Sequence, residues 1–302
     1  MENFIRMLEI QSVLFIYLLV GIYARKKNII NEVTRQSFVD FLLIIALPCM
    51  IFNSFRLKFT VEMVKLASLS LLLSFGVCLV SFLLGKVIYN RYPLGEKCIM
   101  QYGTLVSNAG FAGLPLVASA FGDEALFYAS IFIIPNRIFM WSAGISLFTA
   151  ASFKNGLKKV MLNPGIIAVE LGLVRMIFNI PLHPVLDEAV RNIGGCTSAL
   201  SMILVGAILA DVDIKTVLQK NVFVLSFVRL LLLPCLLLGV LKLLGLSGAM
   251  AASAVMLTGM PVGATTAILA QKYDADYRFG SKCVFVSTIL SLFTAPLLAL
   301  LL

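Results

Sequence analysis

The residues with the clearest chemical potential are polar side chains that lie inside long apolar runs of the sequence. Arg137 and its neighbour Asn136 follow Pro135 in the middle of one such run. An arginine at membrane depth is costly to bury and is a functional residue by default. Its planar guanidinium donates two parallel hydrogen bonds, which is the geometry that binds a carboxylate. We therefore predict that Asn136 and Arg137 bind an organic anion, with an internal ion pair between Arg137 and Glu170 as the alternative.

Glycine and proline interrupt two other apolar runs, at residues 103–115 and 257–266. Proline removes a backbone donor and clashes with the preceding turn, while clustered glycine weakens a helix. In hydrocarbon the freed backbone groups must be buried in protein or face a water-filled cavity. Two such breaks at corresponding places in the two halves of the chain predict a binding site, where helix N-termini attract an anion. The candidate residues at the two breaks are Asn108, Ala109, Gly110, Pro115, Met260, Pro261, Val262 and Gly263.

Other polar residues and prolines inside the runs have simpler interpretations. The amide of Asn108 has a structural alternative, in which it only satisfies backbone groups of the broken helix. Arg175 and Arg229 lie towards the ends of their runs and are predicted to extend to the membrane interface. The prolines without a flanking glycine cluster are predicted to form simple kinks, and they are Pro48, Pro135, Pro234 and Pro296.

The composition requires that membrane-spanning helices position these residues. Of the 302 residues, 60% are hydrophobic and 13% are charged, whereas a soluble domain carries roughly twice that charge. Because a spanning helix needs about 20 apolar residues, the chain has room for ten helices and short loops but for no soluble domain. The ten predicted spans are Met7–Ala24, Phe38–Phe55, Lys65–Tyr89, Gln101–Phe121, Ala125–Ala150, Pro164–Ile180, Arg191–Ala210, Val222–Leu244, Gly248–Ala270 and Gly280–Leu302.

The same counts exclude several classes of function. The 24 Lys and Arg residues exceed the 15 Asp and Glu residues, but they lie mostly in short loops, so nucleic-acid binding is not expected. The single histidine, His183, and six scattered cysteines provide neither a catalytic triad nor a metal site. Acid–base chemistry would need clustered carboxylates inside the spans. The chain is therefore predicted not to be an enzyme and to have no catalytic residues, metal or cofactor.

Five predicted spans in each half indicate a duplicated unit. A unit with an odd number of spans enters the membrane from opposite sides when it is duplicated, and inverted repeats of this kind underlie many secondary transporters. We therefore predict an all-α membrane protein with a first repeat at residues 1–151, a short cytoplasmic linker at residues 152–163 and a second repeat at residues 164–302. Spans 4 and 9, which contain the two interruptions, occupy corresponding positions in the repeats.

Several short motifs are distributed over nearly the whole chain. They are Leu47-Pro48-Cys49-Met50-Ile51-Phe52, Ser107-Asn108-Ala109-Gly110-Phe111-Ala112-Gly113-Leu114-Pro115-Leu116, Phe121-Gly122-Asp123-Glu124, Asn163-Pro164, Met260-Pro261-Val262-Gly263 and Ala270-Gln271-Lys272-Tyr273. With these motifs the chain resembles the auxin efflux carrier family, which includes bacterial malate and malonate permeases and the plant PIN carriers. The asparagine-to-proline segment of span 4 and the proline of span 9 are the most specific of them.

The resemblance implies two inverted five-helix repeats with broken crossover helices 4 and 9, similar to bile acid/sodium symporters. Spans 1, 2, 6 and 7 would form a scaffold and spans 3–5 and 8–10 a moving transport domain. The broken helices would cross near Pro115 and Pro261, and Asn108 matches the crossover asparagine implicated in substrate binding in the plant relatives. Family members are dimers. Residues 152–163 replace the long hydrophilic loop of the plant relatives, so regulation by phosphorylation there is not expected.

Residues and resemblance together predict a secondary transporter for a small organic anion, such as malate, malonate or an auxin-like acid, that works by alternating access. A sodium-coupled organic-anion symporter of the bile-acid type is the alternative, and the coupling ion, H⁺ or Na⁺, is left open. The expected partners are the anion, membrane lipids and a second copy of the chain. The expected location is the plasma membrane of a bacterium, which the chain would cross several times.

The charges of the loops predict that both termini lie outside the cytoplasm. The loops after spans 1, 3, 5, 7 and 9 contain fifteen basic residues and the opposite side contains six, and basic residues favour the cytoplasmic side. In a cysteine-free protein, a single cysteine at position 158 is therefore expected to react with a membrane-impermeant thiol reagent only after the membrane is permeabilised. A cysteine at position 58, on the opposite side, serves as the control that reacts in intact cells. Labelling of position 158 in intact cells would contradict this orientation.

Overall fold

The computed structural model describes residues 2–57, 60–148, 162–212 and 217–302. Within these ranges the chain folds into α-helices joined by short connections, which confirms the predicted all-α class. The helices are α1 Glu2–Lys26, α2 Glu32–Phe41, α3 Leu47–Ser54, α4 Val61–Ile88, α5 Leu94–Leu105, α6 Leu114–Phe139, α7 Pro164–Ile177, α8 Pro184–Leu209, α9 Lys220–Phe227, α10 Leu233–Leu243, α11 Gly248–Thr258, α12 Thr265–Lys272 and α13 Tyr277–Leu300. Between some of them lie π-helical turns, which are Leu42–Ala46, Ala109–Gly113, Met140–Gly144 and Val228–Leu232.

Several of these segments are built to cross a membrane. Three predicted spans do not form one long continuous helix. Span 6 corresponds to the 14-residue helix α7, and the backbones of spans 4 and 9 are broken at the predicted interruptions. In the described ranges, seven segments are long and apolar enough to span a bilayer: Leu8–Lys26, Glu32–Ser54, Val61–Ile88, Ala109–Gly144, Pro184–Leu209, Lys220–Leu243 and Tyr277–Leu300.

Several helices begin earlier than predicted, because polar capping residues precede the apolar runs. Helix α2 begins after Asn31, whose side-chain oxygen accepts a hydrogen bond from a first-turn amide at 2.9 Å. Helix α4 begins after Thr60, whose hydroxyl accepts one at 3.2 Å. Such caps satisfy the free amides of the first turn. The helices therefore begin at Glu32 and Val61, before the apolar runs that predict their starts at Phe38 and Lys65. Helices α5 and α8 also begin earlier than predicted, at Leu94 and Pro184 instead of Gln101 and Arg191, and these two starts have a proline in place of a side-chain cap.

Predicted spans 4 and 5 are joined within α6 by a tight kink. The backbone of Gly122 has φ 79° and ψ −169°, a conformation that glycine adopts far more readily than other residues. The kink divides α6 into a short arm, which belongs to predicted span 4, and a long arm, which belongs to predicted span 5. The connection is therefore tighter than the predicted gap at residues 122–124.

Three of the π-helical turns stand immediately before a Leu-Pro pair, at Pro48, Pro115 and Pro234. Proline lacks the amide that would bond to the preceding turn, and its ring clashes with that turn. A single π-helical turn inside an α-helix accommodates such a disturbance and distorts the helix locally. The distortions predicted at Pro48 and Pro234 take this form.

Helices α1 and α8 cross with their backbones in contact. A Cβ atom on Gly21 would lie 2.0 Å from the carbonyl oxygen of Ile203, and one on Gly206 would lie 2.0 Å from the carbonyl oxygen of Leu18. Small residues at helix crossings allow the close packing that holds membrane helices together. Gly194 of α8 approaches the backbone of α3 in the same way, so α1, α3 and α8 form one closely packed layer.

An ion-pair cluster ties this layer together at one end. Asp211, just beyond α8, accepts a hydrogen bond from Arg25 at the end of α1 at 2.9 Å and one from Arg35 of α2 at 3.1 Å. Glu32 also pairs with Arg35. Three segments that are distant in sequence are thus joined through one carboxylate.

A second cluster ties the layer at the other end of α8. Asp187 binds Arg175 of α7 at 3.0 Å and Arg56, just beyond α3, at 2.6 Å. The guanidinium of Arg175 also lies 5.3 Å from the centre of the Phe52 ring. Arg175 therefore does not extend freely to the membrane interface as the sequence predicts, because Asp187 holds it within the protein.

The long-range polar contacts sort the helices into two groups. The ion pairs above join the first body, which consists of α1, α2, α3, α7 and α8. Contacts such as that between the hydroxyls of Tyr102 and Thr265, at 3.2 Å, join the second body, which consists of α4–α6 and α9–α13. Apolar contacts connect the two bodies, for example the edge-to-face rings of Phe55 and Phe127 with centroids 5.0 Å apart. Each body contains helices from both halves of the chain.

The glycine contact between α1 and α8 can be tested by adding one methyl group. Gly206→Ala places a Cβ atom against the α1 backbone, which cannot move without separating the two helices. We expect the stability to fall by about 1–3 kcal/mol, measured as a lower thermal unfolding midpoint in detergent. Gly195→Ala, in the same helix but with open space around the new methyl group, is the control. Equal midpoints for the two variants would contradict the close crossing.

Candidate functional site

The two breaks lie against each other, between the ends of α5 and α11. The backbone amide of Asn108 donates a hydrogen bond to the carbonyl of Pro261 at 2.8 Å, and the backbone amide of Gly263 donates one to the carbonyl of Val106 at 3.0 Å. The two short extended segments run antiparallel in an isolated β-bridge. Each break thus satisfies backbone groups that the other one frees.

The crossing, which we define as residues 106–108 and 260–263, is packed tightly. A Cβ atom on Gly263 would lie 3.2 Å from two carbonyl oxygens of the facing segment, so glycine permits the close approach. The amide of Val262 donates a hydrogen bond to the hydroxyl of Ser287 in α13 at 3.0 Å. The irregular backbone is therefore enclosed in protein, which is the condition for its presence at membrane depth.

Asn136 supports the crossing from the long arm of α6. Its side-chain amide donates a hydrogen bond to the carbonyl of Leu105 at 3.2 Å. Leu105 is the last residue of α5, so its carbonyl has no partner in a following helical turn. In this conformation the Asn136 amide is engaged with the backbone, and it would have to leave Leu105 to reach a ligand.

Arg229 lies at the crossing, and the prediction that it extends to the membrane interface is wrong. Its side chain is only 2% exposed. Nε donates a hydrogen bond to the carbonyl of Met260 at 3.1 Å, and Nη1 donates one to the carbonyl of Thr104 at 2.8 Å. Helix ends carry partial negative charge on such free carbonyls, and these carbonyls bind the guanidinium in place of interfacial water.

Asn108 presents a buried donor that has no partner. Its backbone groups are used, since its carbonyl accepts from the amides of Ala112 and Gly113 and its amide donates to Pro261. The residue is 3% exposed, and its side-chain Nδ2 has no hydrogen-bond partner among the described residues. An unsatisfied buried donor costs about 1–3 kcal/mol, so the side-chain amide of Asn108 is available to bind an acceptor.

Arg137 lies over Gly110 without a carboxylate beside it. A Cβ atom on Gly110 would lie 2.4 Å from Nη2 of Arg137, so the glycine provides the space for the guanidinium. Nη1 contacts the sulfur of Met140 at 3.8 Å. In the described part of the chain Arg137 forms no ion pair, and the alternative partner Glu170 is exposed on α7.

Two small cavities lie where the two bodies meet, one beside Arg137 and the other beside the crossing. One of about 10 Å³ lies between Arg137 of α6 and residues of α3 and α7, with Asn163 in its wall. The other, of about 30 Å³, lies beside Met260 and Pro261 and is lined by Gln11 of α1 and by residues of α8 and α13. Cavities of this size hold about one water molecule, so the crossing is enclosed in this conformation.

The remaining predicted residues lie at different distances from the crossing. Ala109 and Gly110 begin the π-helical turn that follows Asn108, and Pro261 lies at the crossing as the resemblance implies. Pro115 lies one π-helical turn further along, in the first turn of α6. The crossing point on this helix is therefore near Asn108 and not near Pro115.

Two residues that hold the crossing, Arg229 and Ser287, are not among the site residues predicted from the sequence. Arg229 lies more than two helical turns inside the apolar segment Lys220–Leu243, and this depth is a usable signal of a function inside the membrane. Ser287 is one of five Ser and Thr residues in α13. Such a hydroxyl commonly bonds within its own helix, as the bond from Ser287 to the carbonyl of Cys283 illustrates. Its role could not be identified without the fold.

Comparison with known proteins gives these features a family context. The model of the family described as membrane transport protein matches residues 7–155 and 148–299. An uncharacterized transporter of Methanothermobacter thermautotrophicus is 24% identical over 290 residues, which cover 93% of this chain and 94% of the relative. The uncharacterized transporter MJ1031 of Methanocaldococcus jannaschii is 22% identical over 304 residues, 96% of this chain and 97% of the relative. Because the family model covers nearly the whole chain, the chain belongs to the membrane transport protein family, which is the same family as the auxin efflux carriers that its motifs resemble.

Proposed function

We propose that this membrane transport protein is a secondary transporter that moves a small organic anion, a mono- or dicarboxylate such as malate or malonate or an auxin-like acid, by alternating access. The observation that carries the proposal is the guanidinium of Arg137 near the crossing, which has no carboxylate partner among the described residues. The proposed activity is movement of the anion without a chemical reaction. The protein would lie in the plasma membrane as a homodimer with both termini outside the cytoplasm.

The preference for an anion rests on the charges and donors around the crossing. Arg137 and Arg229 have no carboxylate partner in the described part of the chain, so their positive charge is balanced only by dipoles. The free amide nitrogen of Asn108 adds a neutral donor. Fixed positive charge in a low-dielectric environment attracts anions and repels cations. A carboxylate could accept hydrogen bonds from both kinds of donor.

The packing supports a scaffold and a moving domain. The first body corresponds to spans 1, 2, 6 and 7, and two ion-pair clusters hold its ends. The second body corresponds to spans 3–5 and 8–10 and contains the crossing. Apolar contacts such as Phe55 to Phe127 slide at lower cost than hydrogen bonds or ion pairs break. The second body would therefore move against the first and expose the crossing to each side in turn.

The packing also supports inverted repeats. In a repeat of five spans, span 1 corresponds to span 6 and span 2 to span 7. Contacts between spans 1 and 7 then correspond to contacts between spans 6 and 2, and both pairs pack closely through glycine. The cavity beside Arg137 borders spans 2 and 6, and the cavity beside Pro261 borders spans 1 and 7. The two cavities would therefore be related approaches to one site from opposite sides.

Transport of a carboxylate can be measured by counterflow in proteoliposomes. The purified protein would be reconstituted with an excess of unlabelled malate, malonate or indole acetate inside, and uptake of the same labelled acid would be followed. We expect at least one of these acids to accumulate transiently, and protein-free liposomes give the background. Accumulation of none of them, with cationic or neutral solutes exchanged instead, would refute the proposed substrate class.

Arg137→Gln tests the contact with the anion. Loss of a charged hydrogen-bonding pair costs about 2–3 kcal/mol, which lowers the apparent affinity roughly 30- to 150-fold. Arg137→Lys should also be impaired, because a single ammonium cannot replace the planar fork. The matched control is Glu170→Gln, which removes an exposed charge from α7 and should leave the affinity unchanged. Wild-type affinity in folded Arg137→Gln would place the anion elsewhere, and rescue of an unstable Arg137→Gln by Glu170→Gln would indicate an internal ion pair instead.

Gly110→Ala tests the position of the guanidinium rather than its presence. The added methyl group would occupy the space of Nη2 of Arg137, and the flexible arginine would move aside. We expect a loss of affinity of roughly 5- to 30-fold, about 1–2 kcal/mol, with little loss of thermal stability. Gly95→Ala in α5, where nothing lies within 4 Å of the new methyl group, is the control. Unchanged affinity in Gly110→Ala would mean that the guanidinium acts from another position.

A further inference from the structure

Arg229 has a charge environment that the proposed function does not use. Its side chain is buried among apolar helices. Its guanidinium has no carboxylate partner among the described residues. The two groups that bind it are the backbone carbonyls of Met260 and Thr104. A buried cation held only by carbonyl dipoles resembles a bound metal ion more than a structural ion pair.

The two carbonyls belong to the broken ends of two half-helices. Thr104 lies in the last turn of α5, and Met260 follows the end of α11. Half-helix C-terminal ends and unwound carbonyls are the groups with which ion-coupled transporters bind Na⁺ or H⁺. In this chain the guanidinium of Arg229 already occupies both of them.

The position of Arg229 in the chain is a second way in which its guanidinium resembles a bound coupling ion. It extends from the π-helical turn Val228–Leu232 of span 8, whereas the two carbonyls come from span 4 and span 9. One cation therefore links a broken helix from each half of the chain, as a coupling ion at a crossing would. Arg229 and Thr258 both line the adjoining cavity of about 10 Å³, and a second cation there would be repelled at short range.

We propose that Arg229 is a tethered cation that takes the place of a mobile coupling cation at the crossing, so that the protein assembles its crossing and moves its cargo without Na⁺. This inference rests on the proposed function and names the ion requirement of the same site. It decides against the sodium-coupled alternative, because Na⁺ would need the carbonyls that the guanidinium binds.

The experiment compares wild type, Arg229→Ala and the control Lys242→Ala, which removes an exposed cation further along the same span. Thermal unfolding in detergent and counterflow in proteoliposomes are each measured in Na⁺, K⁺ and choline salts. We expect wild type and Lys242→Ala to be indifferent to the cation. Arg229→Ala should unfold at a lower temperature and exchange substrate at least roughly tenfold more slowly. Millimolar guanidinium should restore both properties in Arg229→Ala, because it can fill the vacated site, and should not affect the control.

The possible results separate this inference from the proposed function. Absence of carboxylate counterflow in wild type refutes the proposed function, while the unfolding measurements still test the tethered cation. A Na⁺ requirement in wild type, full activity of Arg229→Ala, or no selective response of Arg229→Ala to guanidinium overturns the inference. If Arg229→Ala cannot be purified in a folded form, Arg229→Lys decides the question. Na⁺-independent exchange by this variant supports a tethered cation, and loss of exchange in a folded Arg229→Lys protein overturns it.

Discussion

The structure depends on one constraint, which is that a backbone amide or carbonyl cannot remain unpaired inside a bilayer. The two breaks free several such groups at the same depth, and they pair with each other through Asn108 and Pro261. The carbonyls that remain at the helix ends are bound by side chains from other helices, namely Asn136 and Arg229. The second body is held together because each break completes the other. Neither half of the chain could satisfy its own break alone.

The two arginines near the crossing differ in what surrounds them. Arg229 donates two hydrogen bonds, from Nε and Nη1, to free backbone carbonyls at the crossing. Arg137 lies over the π-helical turn at Gly110, beyond the free carbonyls of α5, and contacts a methionine sulfur instead. A guanidinium retains binding capacity when its five donors exceed the acceptors within reach. One arginine therefore stabilises the crossing and the other remains available, although both lie inside apolar segments.

Sequence reasoning identified the features that depend on local chemistry. Apolar runs predicted the helices, and the glycine and proline clusters predicted both breaks, because these signals act within one segment. Features that depend on tertiary contact were missed or misjudged. The distance of Arg229 from the end of its run predicts an interfacial side chain, whereas the nearby carbonyls of Thr104 and Met260 determine its position. The family resemblance implies a crossing near Pro115, but the chain is already irregular at Asn108.

The location of the strong interactions implies where the molecule can change shape. Ion pairs fix the first body at its ends, where charge is tolerated, and carbonyl–guanidinium and backbone contacts fix the second body at its centre. The surface between the bodies is formed by apolar contacts such as Phe55 with Phe127 and by cavities that hold about one water molecule each. Because Arg137 lies on the second body and faces the first across such a cavity, a small displacement of the bodies would enlarge the space in front of the guanidinium. The same displacement leaves the crossing intact, since all its polar partners belong to the second body and move with it.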